Sequence, residues 1–408
     1  MFNTQKISLF LGISFLIHSN IQGQISRSQL AGQQNVITSA VPFLTITPDS
    51  RSAGMGDAGV AISPDANSVH WNPSKLVFAE KPTGFAINYA PWLRSIVPDV
   101  HLSYLSGYSR INKNSVVGGS FRYFSLGNIL FTDFQGNSTG NFEPNELAFD
   151  GFYATKLSDK MSLAVSLRFI YSNLTGTRTF NGTSTRPGIA GAGDVSWFYK
   201  DKLKKAKTPT SYAFGAAITN LGSKITYTVG ENADFIPMNL RLGTAWTFDI
   251  DEFNSVTIAV DANKLLVPTR PLYLKSISNP AQDSFLNNER VIERGMDPNV
   301  PVLQGAMQSF YDAPGGFQEE MKEIMYSVGI EYWYDKVLAL RTGYFHEADT
   351  KGMRKYLTFG AGIRYNVIGV DVAFLAPIQR SHPLQNQLRF SLLLDLAAFS
   401  DAGKLKSL

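Results

Sequence analysis

The most constraining feature of this sequence is a regular alternation between short and long connections from residue 84 onward. About fourteen segments there alternate apolar and polar side chains, as β-strands do when their two faces meet different surroundings. Tight turns at one end of a sheet and long loops at the other are typical of an up-and-down barrel in an outer membrane. The pattern predicts an all-β fold, a 14-stranded antiparallel transmembrane β-barrel. The short connections, each separated from the next by a longer one, are residues 111–115, 158–160, 201–210, 251–252, 335–336 and 366–367.

Composition indicates that strands, rather than helices, would span the membrane. Charged residues make up 17% of the chain, below the roughly 25% usual for soluble domains, and aromatic residues make up 12%. No apolar run approaches the roughly 18 residues that a spanning helix needs. The net charge of +4 is spread along the chain without a basic helix, so the sequence does not indicate nucleic-acid binding.

The N-terminus is predicted to be a signal peptide. Lys6 precedes an apolar stretch from Ile7 to Ile17, and the small Gly23 stands where a signal peptidase could cut. A short membrane anchor is the alternative, although the apolar stretch is short for a span. Because the chain has no cysteine, neither a disulfide framework nor a lipid-anchored N-terminus is expected. The expected parts, in a Gram-negative outer membrane, are a signal peptide at residues 1–23, a plug segment at residues 24–83 and a barrel at residues 84–408.

Separating each strand into odd and even positions places the charges on one face only. In residues 161–173 the odd positions carry Leu, Val, Phe and Tyr, whereas Arg168 lies on the even face among serines and alanine. An arginine facing lipid at mid-membrane costs about 2–4 kcal/mol, so the charges are expected to point into the lumen and to pair there. Glycines on the same face, such as Gly215 and Gly343, leave room for a plug, and a water-filled pore is the alternative. The predicted lumen charge network is Arg122, Asp150, Arg168, Asp194, Arg241, Asp249, Asp261, Glu331, Arg341, Arg364, Asp371, Arg389 and Asp395.

Aromatic residues near the predicted strand ends are expected to contact outer-membrane lipid at its interfaces. Tyrosine and tryptophan are enriched at both surfaces of a bilayer, where an apolar ring and a polar group are both accommodated. The residues expected there are Tyr89, Trp92, Tyr104, Tyr108, Tyr123, Trp197, Tyr199, Tyr332, Tyr334, Tyr344 and Tyr365.

One segment before the barrel carries a specific motif instead of strand alternation. It runs from Arg51 to Leu76 and reads RSAGMGDAGVAISPDANSVHWNPSKL. Its glycines permit backbone conformations and close approaches that side chains would prevent, and its Asn and Asp residues favour turns. A lone Gly-x-Gly without a preceding strand gives little support for phosphate binding, whereas the segment suits packing inside a barrel. The predicted plug residues are Gly54, Met55, Gly56, Gly59, Asp65, Trp71, Asn72 and Pro73.

This motif, Gly-Met-Gly-x-Ala-Gly-Val-Ala followed by Asp-Ala and Trp-Asn-Pro, resembles the N-terminal region of the FadL-type outer-membrane transporters. Within them it is most similar to the PorV/PorQ family of the Bacteroidetes type IX secretion system. The resemblance implies a FadL-like barrel with its plug inside. It also implies three partners: the translocon channel SprA (Sov), secreted cargo proteins with C-terminal signal domains, and the surface attachment machinery that includes the sortase PorU. The implied function is collection of exported cargo and its delivery to that machinery.

The longest outer connection, residues 264–324, is predicted to contact partners. Loops longer than about 15 residues are usually functional or disordered. This one contains six prolines and a stretch compatible with a short helix, GFQEEMKEI. A self-packing lid and a disordered segment are the alternatives. Because the mixed-charge lumen offers no evident apolar tunnel, we favour a docking platform, and the alternative function is a FadL-like transporter of long-chain fatty acids or other hydrophobic small molecules.

The sequence predicts no catalytic, cofactor or metal site. His346 and Glu347 with Asp349 form the best group of acid and histidine, and the other histidines are scattered. The members of a serine, histidine and aspartate triad meet only in space, so their order in the sequence does not reveal one. The acidic stretch at residues 249–252 lacks the length and the glycine of a calcium loop. We therefore expect a non-enzymatic protein without a cofactor.

Overall fold

The fold is taken from a computed structural model of the chain. It describes residues 35–93, 97, 99–132, 135–177, 179–180, 183–203, 208–228, 233–276, 282–286, 289–379, 383–385 and 387–395. The signal peptide predicted at residues 1–23 lies outside the described residues. In the described ranges no helix has the length and apolar character needed to cross a membrane.

Fourteen strands of the described chain close into a single antiparallel barrel, in which each strand pairs with its sequence neighbours and the last pairs with the first. This confirms the predicted fold class. The strands are β1 (Thr83–Pro91), β2 (His101–Arg110), β3 (Ser115–Ser125), β4 (Asn145–Lys156), β5 (Met161–Asn173), β6 (Gly188–Lys202), β7 (Thr210–Gly222), β8 (Asn239–Asp249), β9 (Asn254–Leu265), β10 (Ile324–Tyr334), β11 (Leu338–His346), β12 (Lys355–Tyr365), β13 (Ile368–Pro377) and β14 (Gln387–Asp395).

The connections alternate in length as the sequence predicts. The short ones join β2 to β3, β4 to β5 and so on to β12 and β13, and the longest, residues 266–323, joins β9 to β10. Long connections also carry two-stranded hairpins, which are Ile129–Thr132 with Ser138–Phe142, Thr179–Phe180 with Thr183–Ser184, Leu272–Tyr273 with Ile292–Arg294, and Phe285–Leu286 with Glu289–Arg290. All long connections lie at one end of the barrel, since antiparallel neighbours reverse direction at every turn.

Side chains alternate between the two faces of the barrel wall along each strand. On β5, Leu167 is 78% exposed on the outer face, whereas its neighbour Arg168 is 8% exposed on the inner face. An apolar outer face can meet hydrocarbon because a closed barrel pairs its backbone groups between strands. Tyr104 and Tyr108, which were expected at the membrane interface, instead lie buried on the inner face of β2, so that prediction is wrong for both.

The N-terminal segment, residues 35–82, lies against the inner faces of strands from all round the barrel. At the long-loop end, Asn35 N donates to the Thr350 carbonyl oxygen (2.9 Å). Near the short-turn end, Tyr108 Oη donates to the Lys81 carbonyl oxygen (3.2 Å). The segment therefore runs between the two ends of the barrel. Its elements are the 3₁₀ turns Pro42–Thr45 and Pro73–Phe78 and the short helices α1 (Ser50–Ala53) and α2 (Ser68–Trp71).

Candidate functional site

The glycine motif of the N-terminal segment packs directly against the backbone of the barrel wall. Gly56 has a φ of 67°, and a Cβ added to it would lie 2.6 Å from Tyr344 N. On the wall, a Cβ at Gly343 would lie 2.2 Å from Gly56 N, and one at Gly329 would lie 2.5 Å from the Met55 carbonyl oxygen. Met55 is fully buried. Glycines on both sides thus allow backbone contact that any side chain would prevent.

Gly59 makes room for Trp71 within the segment itself. A Cβ at Gly59 would lie 2.2 Å from the indole ring of Trp71. The indole Nε1 donates to Asp49 Oδ1 (2.7 Å). The backbone N–H groups of Gly59 and Val60 donate to Asp261 Oδ2 on β9 (2.7 and 2.9 Å). These bonds fold the segment on itself and attach it to the wall.

The remaining motif residues set its turns. Asn72 Oδ1 accepts from Ser74 N (3.2 Å), and Asn72 Nδ2 donates to the carbonyl oxygen of Trp197 on β6 (2.9 Å). Pro73 occupies the first turn of the 3₁₀ helix, where a missing N–H costs nothing. Asp65 Oδ1 accepts from Asn67 N (2.9 Å). All eight predicted plug residues lie in this segment, and that the segment plugs the barrel stays a prediction.

Four predicted charges meet Arg51 of the N-terminal segment in a first ion-pair cluster. Arg51 lies in α1 and reaches β10, with Nη2 2.7 Å from Glu331 Oε1. Arg341 Nε lies 2.7 Å from Glu331 Oε2, and Arg341 Nη1 lies 2.7 Å from Asp371 Oδ1. Arg364 Nη2 completes the chain at 2.6 Å from Asp371 Oδ2. Arg51 itself was not among the predicted charges, because it lies outside the strands.

Two more groups of inward charges pair separately. Arg168 binds Asp150 on β4, and its Nη2 lies 3.0 Å from Asp194 Oδ2 on β6. Arg389 Nη1 on β14 lies 3.3 Å from Asp57 Oδ1 of the N-terminal segment. Opposite signs thus meet across neighbouring strands, or between a strand and the segment, as the balance of inward charges suggested.

Arg122 and Arg241 hold α2 through hydrogen bonds of another kind. Arg122 Nη2 lies 2.7 Å from His70 Nδ1, and Arg122 Nη1 donates to the Leu44 carbonyl oxygen (2.7 Å). Arg241 Nη1 donates to the His70 carbonyl oxygen (3.0 Å) and its guanidinium stacks on Trp71 at 5.0 Å. His70 is therefore enclosed between two guanidinium groups.

Two predicted members of the charge network lie at strand ends. Asp249 is exposed as the last residue of β8, where the strand passes beyond the packed interior, so its inclusion in the lumen network is wrong. Asp395, the last residue of β14, is half-buried, and its Oδ2 lies 3.4 Å from Lys81 Nζ. Strand periodicity gives the face of a residue but not how far along the lumen it lies.

The acid and histidine group near residue 346 does not converge in the structure. Tyr344 Oη lies 3.1 Å from His346 Nδ1. Glu347 Oε2 pairs with Arg354 Nε (2.8 Å), and Asp349 Oδ1 with Lys355 Nζ (2.7 Å). Among the described residues there is also no group of three or more His, Asp or Glu side chains with the geometry of a metal site.

A buried charge cluster at the long-loop end was missed by sequence reasoning. We call it the outer cluster: Lys264 at the end of β9, Lys351 between β11 and β12, and Glu319, Glu320 and Glu323 in and beside the helix α4 (Phe317–Lys322). Lys264 Nζ lies 2.6 Å from Glu323 Oε2 and Lys351 Nζ lies 2.6 Å from Glu319 Oε1. The available signal was the spacing of the three glutamates, which places them on one side of a helix.

Asp312 adjoins the outer cluster. It is 1% exposed, and its Oδ2 accepts from Thr269 N (3.0 Å). Burial raises the pKa of Asp312 to about 7, a shift that the carboxylates of Glu320 and Glu323 reinforce and the bond from Thr269 opposes. The outer cluster is therefore rich in carboxylates that are held out of water.

The same loop region also exposes large apolar side chains. The helix α3 (Val302–Gln308) and the following residues up to α4 present six large side chains to solvent. Gly305 of α3 packs on Phe235, and Gln308 Nε2 donates to the Asp297 carbonyl oxygen (2.9 Å), which fixes the helix. The outer apolar surface consists of Leu303, Met307, Phe310, Tyr311, Phe317 and Met321.

A closed barrel with an apolar outer face, a charged interior and loops sorted by length defines the class, an integral outer-membrane β-barrel protein. Comparison with protein families identifies the particular kind. Residues 29–272, more than half of the chain, match the family of the type IX secretion system protein PorV. The chain therefore belongs to the PorV family.

Solved structures show more distant likenesses. The Pseudomonas putida toluene transporter TodX is 11% identical with a TM-score of 0.46, and the match covers 88% of this chain and 98% of that one. A FadL homologue from Pseudomonas aeruginosa is 12% identical with a TM-score of 0.40, and the match covers 86% and 98%. No curated protein sequence matches the chain. Nothing about function follows from structural likenesses this distant.

Proposed function

We propose that this outer-membrane barrel docks to the type IX translocon channel, collects exported cargo through its C-terminal signal domain, and delivers it to the surface attachment machinery. Membership of the PorV family supports a role in this secretion system. The observation that carries the docking role is the outer apolar surface on the longest loop, at the end of the barrel that the loop lengths assign to the cell exterior.

The composition of that surface fits protein recognition. Met307, Phe310, Tyr311 and Phe317 are each at least half exposed, and exposed apolar patches on soluble parts of proteins mark interaction sites. Aromatic residues and methionine are enriched at the centres of interfaces, from which most charged residues are depleted. Methionine also adapts to partners of different shape, which suits a protein that meets several cargos.

We further propose that the N-terminal segment closes the barrel, so that the loops and not the lumen perform the function. The support is its contact with inner faces from β1 to β14 and its buried charges, such as Arg51. A carrier of hydrophobic molecules needs an apolar path, and the described interior is dominated by the segment and by ion pairs. We therefore place the secretion role ahead of the fatty-acid transporter.

Deleting the gene and measuring export tests the proposal. We expect proteins that bear the C-terminal signal domain to fall in culture fluid and on the cell surface, and re-expression of the full chain to restore them. Unchanged export of these proteins would exclude the secretion role. Loss of fatty-acid uptake together with unchanged export would favour the transporter.

The docking surface is tested by point variants in a folded barrel. We expect Leu303→Glu with Met307→Glu to reduce copurification of the translocon channel from solubilised outer membranes, because two charges would be buried against the partner. Phe285→Glu is the matched control, since Phe285 is 63% exposed on a hairpin of the same loop but outside the surface. Equal recovery of the channel with all variants would contradict this assignment.

A further inference from the structure

The N-terminal segment and the longest loop meet at one carboxylate oxygen. Glu319 Oε1 on α4 accepts from Lys351 Nζ (2.6 Å) and from Asn35 Nδ2 (3.0 Å). Asn35 is held there by two further bonds, from its N to the Thr350 carbonyl oxygen (2.9 Å) and from Nδ2 to the Arg270 carbonyl oxygen (3.2 Å). Asn35 of the N-terminal segment is thus tied to the helix that carries part of the outer apolar surface.

The same contacts continue into the barrel wall. Glu323 Oε1 accepts from Lys351 Nζ (2.9 Å) and from Thr269 Oγ1 (2.6 Å), and Glu323 Oε2 accepts from Lys264 Nζ (2.6 Å). Glu323, Lys264 and Lys351 are each less than 10% exposed. Breaking one of these ion pairs alone would leave a buried charge without a partner, which is costly. The contacts of the outer cluster are therefore expected to break together and not one at a time.

The helix α4 belongs on one side to the outer apolar surface and on the other side to the outer cluster. Phe317 and Met321 point to solvent and belong to the outer apolar surface, whereas Glu320 is buried in the outer cluster. A partner that binds the apolar side and shifts the helix would therefore also displace the carboxylates of α4 from their ion pairs in the outer cluster. After Asn35, Ala40 N donates to the Phe235 carbonyl oxygen (2.9 Å). Phe43 and Leu44 come next in the segment, and both are buried against Leu102 and Phe124 of the barrel wall.

We propose that the outer cluster couples the outer apolar surface to the N-terminal segment, so that a protein partner binding the surface loosens the outer end of that segment. The partner's identity rests on the proposed function, but the coupling is a property of the chain alone. The two elements share one set of ion pairs and hydrogen bonds, which is buried at Lys351 and Glu323 and part-buried at Asn35, so displacing one element disturbs the other.

Cysteine labelling of the purified, folded full chain tests the coupling without any partner. Leu44→Cys reports on the segment and Ala313→Cys on the loop, since both positions are less than 10% exposed. We expect Lys351→Met to raise the maleimide labelling rate about tenfold at both positions, within the range usual for coupled sites. Lys355→Met is the matched control: its Nζ pairs with Asp349 Oδ1 (2.7 Å) outside the outer cluster, and it should change neither rate.

Faster labelling at Ala313→Cys alone, or at neither position, would overturn the coupling. Adding Asn35→Ala to Lys351→Met should not raise the labelling rate of Leu44→Cys above its rate with Lys351→Met alone, because each substitution removes a hydrogen-bond donor to Glu319. Met55→Cys should stay protected throughout, and heat-modifiable gel migration shows that each variant is folded. If the labelling shows the coupling but deletion of the gene leaves cargo export unchanged, the coupling is supported and only the proposed function is excluded.

Discussion

At the scale of single residues, close backbone approach between the segment and the wall sets the tolerance to substitution. Gly56→Ala should destabilise the folded barrel by about 1–3 kcal/mol, because alanine meets both a positive φ and the Tyr344 backbone. The midpoint temperature of heat-modifiable gel migration measures this. Gly151→Ala is the control: its added Cβ has no heavy atom within 4 Å, so no shift is expected. Equal shifts for both variants would refute the explanation.

The buried ion pairs predict a second residue-level effect. Glu331→Gln leaves Arg51 and Arg341 without their shared carboxylate, and breaking a buried pair costs about 3–5 kcal/mol. Asp201→Asn, in the exposed pair with Lys160, should cost far less, because solvent screens that pair. Reversible unfolding in denaturant with the barrel in lipid gives both values. A cost for Glu331→Gln as small as that for Asp201→Asn would show that the first cluster does not stabilise the fold.

The sequence could predict which charges point inward but not what they bind. Alternation along a strand and the cost of charge in lipid determine the face of Arg341 or Glu331. Their partner Arg51 lies 280 positions before Glu331, on a segment without strand periodicity. Such pairs form only once the barrel is closed around the segment, so no local pattern records them.

At the scale of elements, the outer cluster should make the docking of α4 depend on pH. The pKa of Asp312 is about 7 in the folded protein and near 3.8 in an exposed chain, so between these values only the folded state keeps the proton. The docked loop therefore loses stability as pH rises from 5 to 7, by at most about 1.4 kcal/mol per pH unit, and levels off above. Hydrogen exchange of the α4 amides, corrected for its intrinsic pH dependence, measures this.

Asp312→Asn is the control for that titration. Asparagine keeps the bond from Thr269 N but carries no proton to lose, and Glu320, Glu323 and Lys264 around it are unchanged. The variant should show a shallower profile over the same range, because burial also raises the pKa of Glu320, which remains. A slope equal to that of the parent chain would assign the pH dependence to another group.

The elements also differ in how far they could be predicted. The six short turns and the helix Phe317–Lys322 were visible as breaks in alternation and as a run of helix-forming residues. The helix α3 was not predicted, since Val302–Gln308 follows Pro301 in a loop whose apolar residues lack a partner within the sequence. From the sequence alone, a loop segment with exposed apolar residues cannot be distinguished from irregular structure.

At the scale of the whole molecule, our proposal that the N-terminal segment closes the barrel predicts that the protein does not conduct ions steadily. Reconstituted in planar bilayers, the full chain is expected to give no sustained open-pore current, because ion pairs and the segment occupy the lumen. Glu331→Gln should increase brief openings, since it releases Arg51. Long-lived steps of porin size from the parent chain would contradict a closed lumen.

The seam of the barrel has a consequence for biogenesis. β14 joins β1 over six residue pairs, from Gly84 with Asp395 to Tyr89 with Phe390. The inward side chains of β14 at this seam bind the N-terminal segment. Ser391 Oγ accepts a hydrogen bond from Ser50 N (2.8 Å), and Arg389 forms an ion pair with Asp57. The N-terminal segment is thus held by the last strand of the barrel, so these contacts can form only when β14 has taken its place beside β1.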